Sequence, residues 1–203
     1  MSTIHAGQSP VELVLQPLGI DQARGRQGMM LLIATEASLF VVLFFAYFFL
    51  SNSDWRWLQQ EPPKITYALV MLIVLLSSSA VLRWGEKQVE AGRFAEGRTA
   101  MGFTVLLGVG FLVLSALEYR EHLKHLTPQT NAYGSIFYTI TSFHLLHVIG
   151  GLLMFGYVLL LPRVGRTDRP PHRAYSDAAS YWHFVDIVWI FIVCILYVLP
   201  NLR

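Results

Sequence analysis

Four short stretches of this sequence carry side chains able to move protons or hold a ligand, each within or at the edge of an apolar run. In YWHFVDIVWIF, His183 and Asp186 stand three residues apart, and in TSFHLLHVIGG, His144 and His147 repeat that spacing. Residues three apart on a helix share a face, so each pair presents two titratable groups in one direction. Glu36 interrupts IATEASLF, and Glu118 with Tyr119 closes a further run. Imidazole and carboxyl groups so placed suit four tasks: a proton relay, a metal or haem site, hydrogen bonds between helices, or a docking surface for a larger complex.

The runs that hold them are long enough to cross a membrane. Of the 203 residues, 54% are hydrophobic and only 14% are charged, against about a quarter charged in soluble domains. Residues 100–117 are 18 in a row without a formal charge, and 132–161 are 30; a spanning helix needs roughly 17–25 apolar residues. The expected fold is all-α, an integral membrane bundle of five transmembrane helices at 29–50, 65–82, 100–117, 133–161 and 178–199. Residues 1–28 lack a long apolar core and read as an N-terminal cytoplasmic arm rather than a cleaved secretory signal, leaving 29–203 as the membrane domain. Pro128, Pro162, Pro200 and the pairs Pro62-Pro63 and Pro170-Pro171 are expected at or beyond helix ends. Trp55, Trp57, Trp84 and Trp182 are expected near helix ends, where an indole sits half wet. Cys194 is alone, so no internal disulfide forms. The net charge of +2, from 15 basic and 13 acidic residues, gives no argument for nucleic acid.

In hydrocarbon an ionised side chain costs at least about 2.5–3.5 kcal/mol, which makes these six residues the informative ones. Glu36 falls about 10 Å from the inner end of its span, at 1.5 Å per residue. The plain reading makes it a carboxyl hydrogen-bonded to a neighbouring helix, with the histidines tying helices together. Asp186 is expected to pair with His183 or with an arginine at the inner rim. Glycines 102, 108, 110, 150, 151 and 156, with Ser77–Ser79, are expected to mark close helix packing. No HExxH, cysteine cluster or acidic loop supports a metal. A haem between the fourth and fifth helices requires ligands at matched depth, yet His183 counts as near the inner surface and His144 as mid-bilayer. The residues therefore favour no catalytic or metal role for any of the six.

The order of these stretches resembles subunit III of the haem-copper respiratory oxidases, over about 27–199. LLIATEASLFVVLFFAYFF is similar to that family's third helix, with its buried glutamate at Glu36. LLSSSAVLRWGEKQVEAGR is similar to the fourth and LLGVGFLVLSALEYREHL to the fifth. NAYGSIFYTITSFHLLHVIGGLL and YWHFVDIVWIFIVCILYV resemble the sixth and seventh. The first two helices of longer members are absent, as in the shorter bacterial versions; in the family they complete a V-shaped, lipid-holding cleft. Leu145 stands where the family often has Gly between the two histidines.

The resemblance implies an accessory subunit of a proton-pumping terminal oxidase, in the bacterial cell membrane. Haem and copper would lie in the partner catalytic subunits, with none bound by this chain. Subunit I, the other oxidase subunits and phospholipid are the implied partners. It would stabilise the catalytic subunit and support proton uptake, His183 and Asp186 keeping a polar, proton-accessible corner near the depth of Glu36. Cytochrome c is the implied donor, with quinol the alternative. Two further readings stay open: a small transporter using Glu36 and Asp186 as proton-coupled residues, and a b-type cytochrome. Five helices without an inverted repeat or Pro-interrupted half-helices argue against the transporter.

Orientation follows from the basic residues. Ten of the 15 fall on the side of the N-terminal arm and the second and fourth loops, including Arg83, Lys87, Arg93, Arg98, Arg163, Arg166, Arg169 and Arg173. The positive-inside rule then puts the N-terminus in the cytoplasm and the C-terminus outside. A reporter fused after Arg203 is expected to read as external and one inserted within 83–99 as cytoplasmic; the reverse pattern overturns the charge argument.

Overall fold

The computed structural model describes residues 20–53, 65–124, 126–129, 131–160 and 171–202. Five long helices carry them: α1 (Ile20–Ser53), α2 (Ile65–Glu90), α3 (Phe94–His122), α4 (Ala132–Leu160) and α5 (Pro171–Ile192). A π-helical turn, Val193–Val198, and a short α6, Leu199–Asn201, continue α5. All five are long and apolar enough to cross a membrane, so the chain is a multi-pass membrane protein of the all-α class. The helices outrun their apolar stretches at most ends. α1 begins at Ile20, inside the segment expected to be an arm; residues 1–19, with Trp55, Trp57, Pro62, Pro63, Pro162 and Pro170, lie outside the described residues.

The long second loop expected from the charge pattern shrinks to a tight turn. Gly92, at φ +79, takes the left-handed conformation that lets α2 stop and α3 start almost at once. Its N–H donates to the Val89 carbonyl at 3.0 Å, and the Arg93 N–H donates to the Gln88 carbonyl at 2.8 Å. This double closure satisfies carbonyls that a helix end otherwise leaves open. α2 and α3 accordingly pack as an antiparallel hairpin, the most extensive helix pair in the bundle. At the far end, the Asn131 Oδ1 accepts from the Gly134 N–H at 2.7 Å and caps α4.

The centre of the bundle belongs to α5. Half of its most apolar window is buried, against 6% for α1, which rests mainly on the α4–α5 side. Trp182 anchors this arrangement. Expected at a half-wet helix end, it is instead fully buried, because α5 begins at Pro171 rather than near 178 and carries Trp182 into its interior. Two glycines make room for the ring. A Cβ on Gly108 would fall 2.8 Å from both Trp182 Cη2 and Leu152 Cδ2, and one on Gly151 would fall 2.8 Å from Trp182 Cε3. The indole N–H donates to Ser78 Oγ at 2.9 Å, so the one polar atom of the ring is satisfied on α2.

Pro200, expected at or beyond a helix end, lies within the short terminal α6. Proline has no N–H, so the carbonyl four residues back, Leu196, loses its helical donor, and the ring crowds it. The chain absorbs the crowding by widening into the π-helical turn just before Pro200. Tyr133 of α4 supplies the missing donor, its hydroxyl 2.8 Å from the Leu196 carbonyl.

Only some of the glycines mark close packing. Gly108 and Gly151 do, whereas a Cβ at Gly102, Gly110 or Gly156 meets nothing within 4 Å. Gly108→Ala is therefore expected to destabilise the chain by about 1–3 kcal/mol through overpacking. Gly102→Ala is expected to be neutral or stabilising by up to about 1 kcal/mol through helix propensity. Thermal unfolding of the two variants in detergent distinguishes the sites.

Candidate functional site

Helix α5 lays His183 and Asp186 against α2, where both meet one hydroxyl. Ser79 Oγ donates to Asp186 Oδ2 and lies 2.8 Å from His183 Nδ1. With its single proton given to the carboxylate, the Ser79 oxygen accepts the Nδ1–H of the imidazole. The other nitrogen, Nε2, lies 3.4 Å from Glu86 Oε2. The expected pair thus exists, joined through Ser79 rather than directly, and Glu86 rather than an arginine stands at its outer end. Glu86 and His183 side chains are 23% and 18% exposed, while Asp186 is buried and its Oδ1 has no hydrogen-bond partner.

Glu36 and His147 make a second contact, between α1 and α4. Nε2 of His147 lies 3.0 Å from Glu36 Oε2, and Nδ1 lies 2.6 Å from the Phe143 carbonyl one turn back. A carbonyl only accepts, so Nδ1 carries a proton and the tautomer is settled by the helix itself. One further proton then lies between Nε2 and Oε2, held by either partner. Phe40 covers the imidazole edge-on, ring centroids 4.9 Å apart. Glu36 keeps 31% side-chain exposure against 10% for His147, so the contact sits in an open seam of the bundle.

His144, one turn from His147 on α4, points elsewhere. It is fully buried, stacked on Trp189 of α5 at 4.9 Å and met edge-on by Phe111 of α3 at 5.8 Å. Neither ring nitrogen has a hydrogen-bond partner. The ring is held by aromatic packing, and His183 is engaged with Ser79 and Glu86 on another seam. Among the described residues no group of three His, Cys, Asp or Glu side chains is arranged to hold a metal ion.

Glu118 lies buried on α3 at the other end of the bundle, beside Ser115, Tyr119, Thr141 and Trp189. The Tyr197 hydroxyl of the π-helical turn lies in its electrostatic range; Glu118 Oε1 and the hydroxyl fall short of a well-formed hydrogen bond. Tyr119 bonds Thr141 Oγ1 at 2.5 Å, tying α3 to α4 beside it.

The six residues singled out in the sequence therefore divide among three seams: His183 with Asp186, Glu36 with His147, and the aromatic interior holding His144 above Glu118. Sequence reasoning missed the roles of Ser79, Glu86 and Tyr197. A signal existed for two of them, because Ser79 and Glu86 are seven apart and so lie on one face of α2, two turns from each other.

Comparison with known proteins bears on the whole chain. The family described as cytochrome c oxidase subunit III matches residues 21–200. Cytochrome c oxidase subunit 3 of Corynebacterium diphtheriae is 36% identical over 171 residues, 80% of this chain and 82% of that one. The probable cytochrome c oxidase subunit 3 of Mycobacterium tuberculosis is 35% identical over 176 residues, 84% and 85% of the two chains. The subunit 3 of Prototheca wickerhamii is 35% identical over 187 residues, 85% of this chain and 68% of the longer relative.

The Glu36 contact generates a test. A glutamine at 36 offers both a donor and an acceptor to Nε2, so Glu36→Gln is expected to keep the α1–α4 bridge. Glu36→Ala removes it and is expected to cost about 0.6–2 kcal/mol, the range of interhelical hydrogen bonds in membranes. Retention of α1 against protease after detergent extraction reads the difference.

Proposed function

The chain belongs to the cytochrome c oxidase subunit III family, and from that premise we propose how its residues serve the complex. It is an accessory subunit of a haem-copper oxidase, a multi-pass membrane component of the respiratory chain that works with other oxidase subunits. In our reading it packs on catalytic subunit I, and the haem and copper that reduce oxygen reside in the partner subunits. The family match across residues 21–200 carries this reading. The arrangement of the chain's own titratable groups supports it, since they are divided among separate seams, with His144 packed between Trp189 and Phe111. Cytochrome c is the proposed electron donor, as the relatives' names describe.

The same proposal places the protein in the bacterial inner membrane, N-terminus cytoplasmic and C-terminus outside, on the basic-residue asymmetry. Glu36 and His147 then lie in the inner half of the membrane, in a seam open enough for phospholipid or a partner helix to cover it. Their first task is structural: a shared proton between a carboxyl and an imidazole holds the peripheral helix α1 to the bundle. Supporting proton uptake by the catalytic subunit is a second task for the same polar seams.

Purification through a tag on this chain, in mild detergent, tests the assignment. Haem and copper are expected to co-purify and to leave when the chain is stripped off. In His144→Ala or His147→Ala complexes, assembly is expected to weaken while the haem-to-copper ratio of what assembles stays unchanged. Stoichiometric loss of one metal or haem would place a redox site in this chain and overturn the reading.

A further inference from the structure

We propose that Glu86, His183 and Ser79 form a proton wire that loads and unloads the buried Asp186 carboxyl from the rim of the bundle at the C-terminal end of α2. A hydrogen bond that merely ties α2 to α5 needs one donor and one acceptor. Here three contacts run in series: Glu86 Oε2 to His183 Nε2 at 3.4 Å, His183 Nδ1 to Ser79 Oγ at 2.8 Å, and Ser79 Oγ to Asp186 Oδ2. The two inner links, imidazole and hydroxyl, each have a donor side and an acceptor side, which is what passing a proton requires.

The series also has an open end and a closed one. Glu86 lies one turn from the end of α2, partly exposed and flanked by exposed Arg83 and Lys87. Asp186 is buried, and its Oδ1 has no partner to carry a proton onward. His183 and Ser79 are the groups that act electrostatically on Asp186, and the Tyr175 hydroxyl is within range of Glu86. The wire therefore serves as a side reservoir rather than a through-channel.

Transfer balances without any other reactant. The Glu86 carboxyl gives its proton to His183 Nε2, breaking an O–H and forming an N–H. The imidazolium releases its Nδ1 proton to Ser79 Oγ as Ser79 passes its own hydroxyl proton to Asp186 Oδ2. Glu86 is left as the carboxylate, Asp186 becomes the neutral acid, and His183 ends as the other tautomer. The return of the proton reverses each step and restores the starting tautomer. The use of the stored proton by an oxygen-reducing partner rests on the oxidase reading above; the exchange itself does not.

The test measures exchange directly in the assembled complex. The infrared carboxyl stretch of protonated Asp186 is assigned as the band absent from Asp186→Asn, and its shift is followed after rapid mixing into heavy water. Wild type and Ser79→Thr, which keeps the hydroxyl, are expected to exchange at similar rates. Ser79→Ala is expected to slow exchange by about 100-fold, the lower range for losing a positioned proton-transfer group, and Glu86→Gln to slow it in the same direction. Equal rates in Ser79→Ala and wild type overturn the wire. If Ser79→Ala does not assemble, an unchanged rate in Glu86→Gln does so, as does the absence of an Asp186 band at every pH at which the complex holds together. Slowed exchange with unaltered proton pumping supports the wire and removes only its service to the oxidase.

Discussion

Trp182 lies fully buried, its ring against the bare backbones of Gly108 and Gly151 and its N–H bonded to Ser78. That one seat puts α5 in the middle of the bundle, where it reaches α2, α3 and α4 at once. The polar contacts between α5 and α2 begin beside it. His183 and Asp186 reach Ser79, one residue from the indole's own hydrogen-bond partner. Two turns further on, Trp189 meets His144, and Tyr197 comes within range of Glu118. In water a misplaced polar side chain finds solvent, but in hydrocarbon an unmatched one costs several kcal/mol. The packing of one indole thus sets the partners of titratable groups along the whole helix.

The two histidine–carboxyl contacts have similar chemistry and different consequences. At His147 the Phe143 carbonyl fixes the tautomer, so the ring holds a single exchangeable proton with Glu36 and cannot pass one through. At His183 no backbone carbonyl holds either nitrogen; both face side chains that themselves exchange protons. An imidazole with a proton-exchanging partner on each side transmits, and one locked by a carbonyl only holds. The first contact suits the attachment of a peripheral helix, and the second suits proton movement between two carboxyls.

The opposite end of the bundle shows how a backbone defect becomes a site. Pro200 leaves the Leu196 carbonyl without its helical donor, and the π-helical turn and the Tyr133 hydroxyl absorb the loss. The widened turn carries Tyr197 into the interior, toward Glu118. π-turns recur at functional positions because they redirect a side chain without ending the helix.

Five spans, the all-α membrane class and the six titratable residues were legible in the sequence, because hydrocarbon imposes its own filter on each residue independently. A long charge-free run is a spanning helix whatever surrounds it, and an ionisable residue inside one is informative wherever it points. Which residue it meets is not independent of its neighbours. The spacing of His144 and His147 placed both on one face of α4, yet one faces aromatic rings and the other a carboxylate, since the helices opposite differ along that face. Glycine types were readable but not their use: Gly108 and Gly151 meet an indole, while Gly102 and Gly110 face open space. The burial of Trp182, the pairing of Ser79 with Asp186 and the reach of Glu86 to His183 came from interhelical rotation and register. Those depend on the complementary shapes of two surfaces far apart in sequence, and no local pattern encodes them.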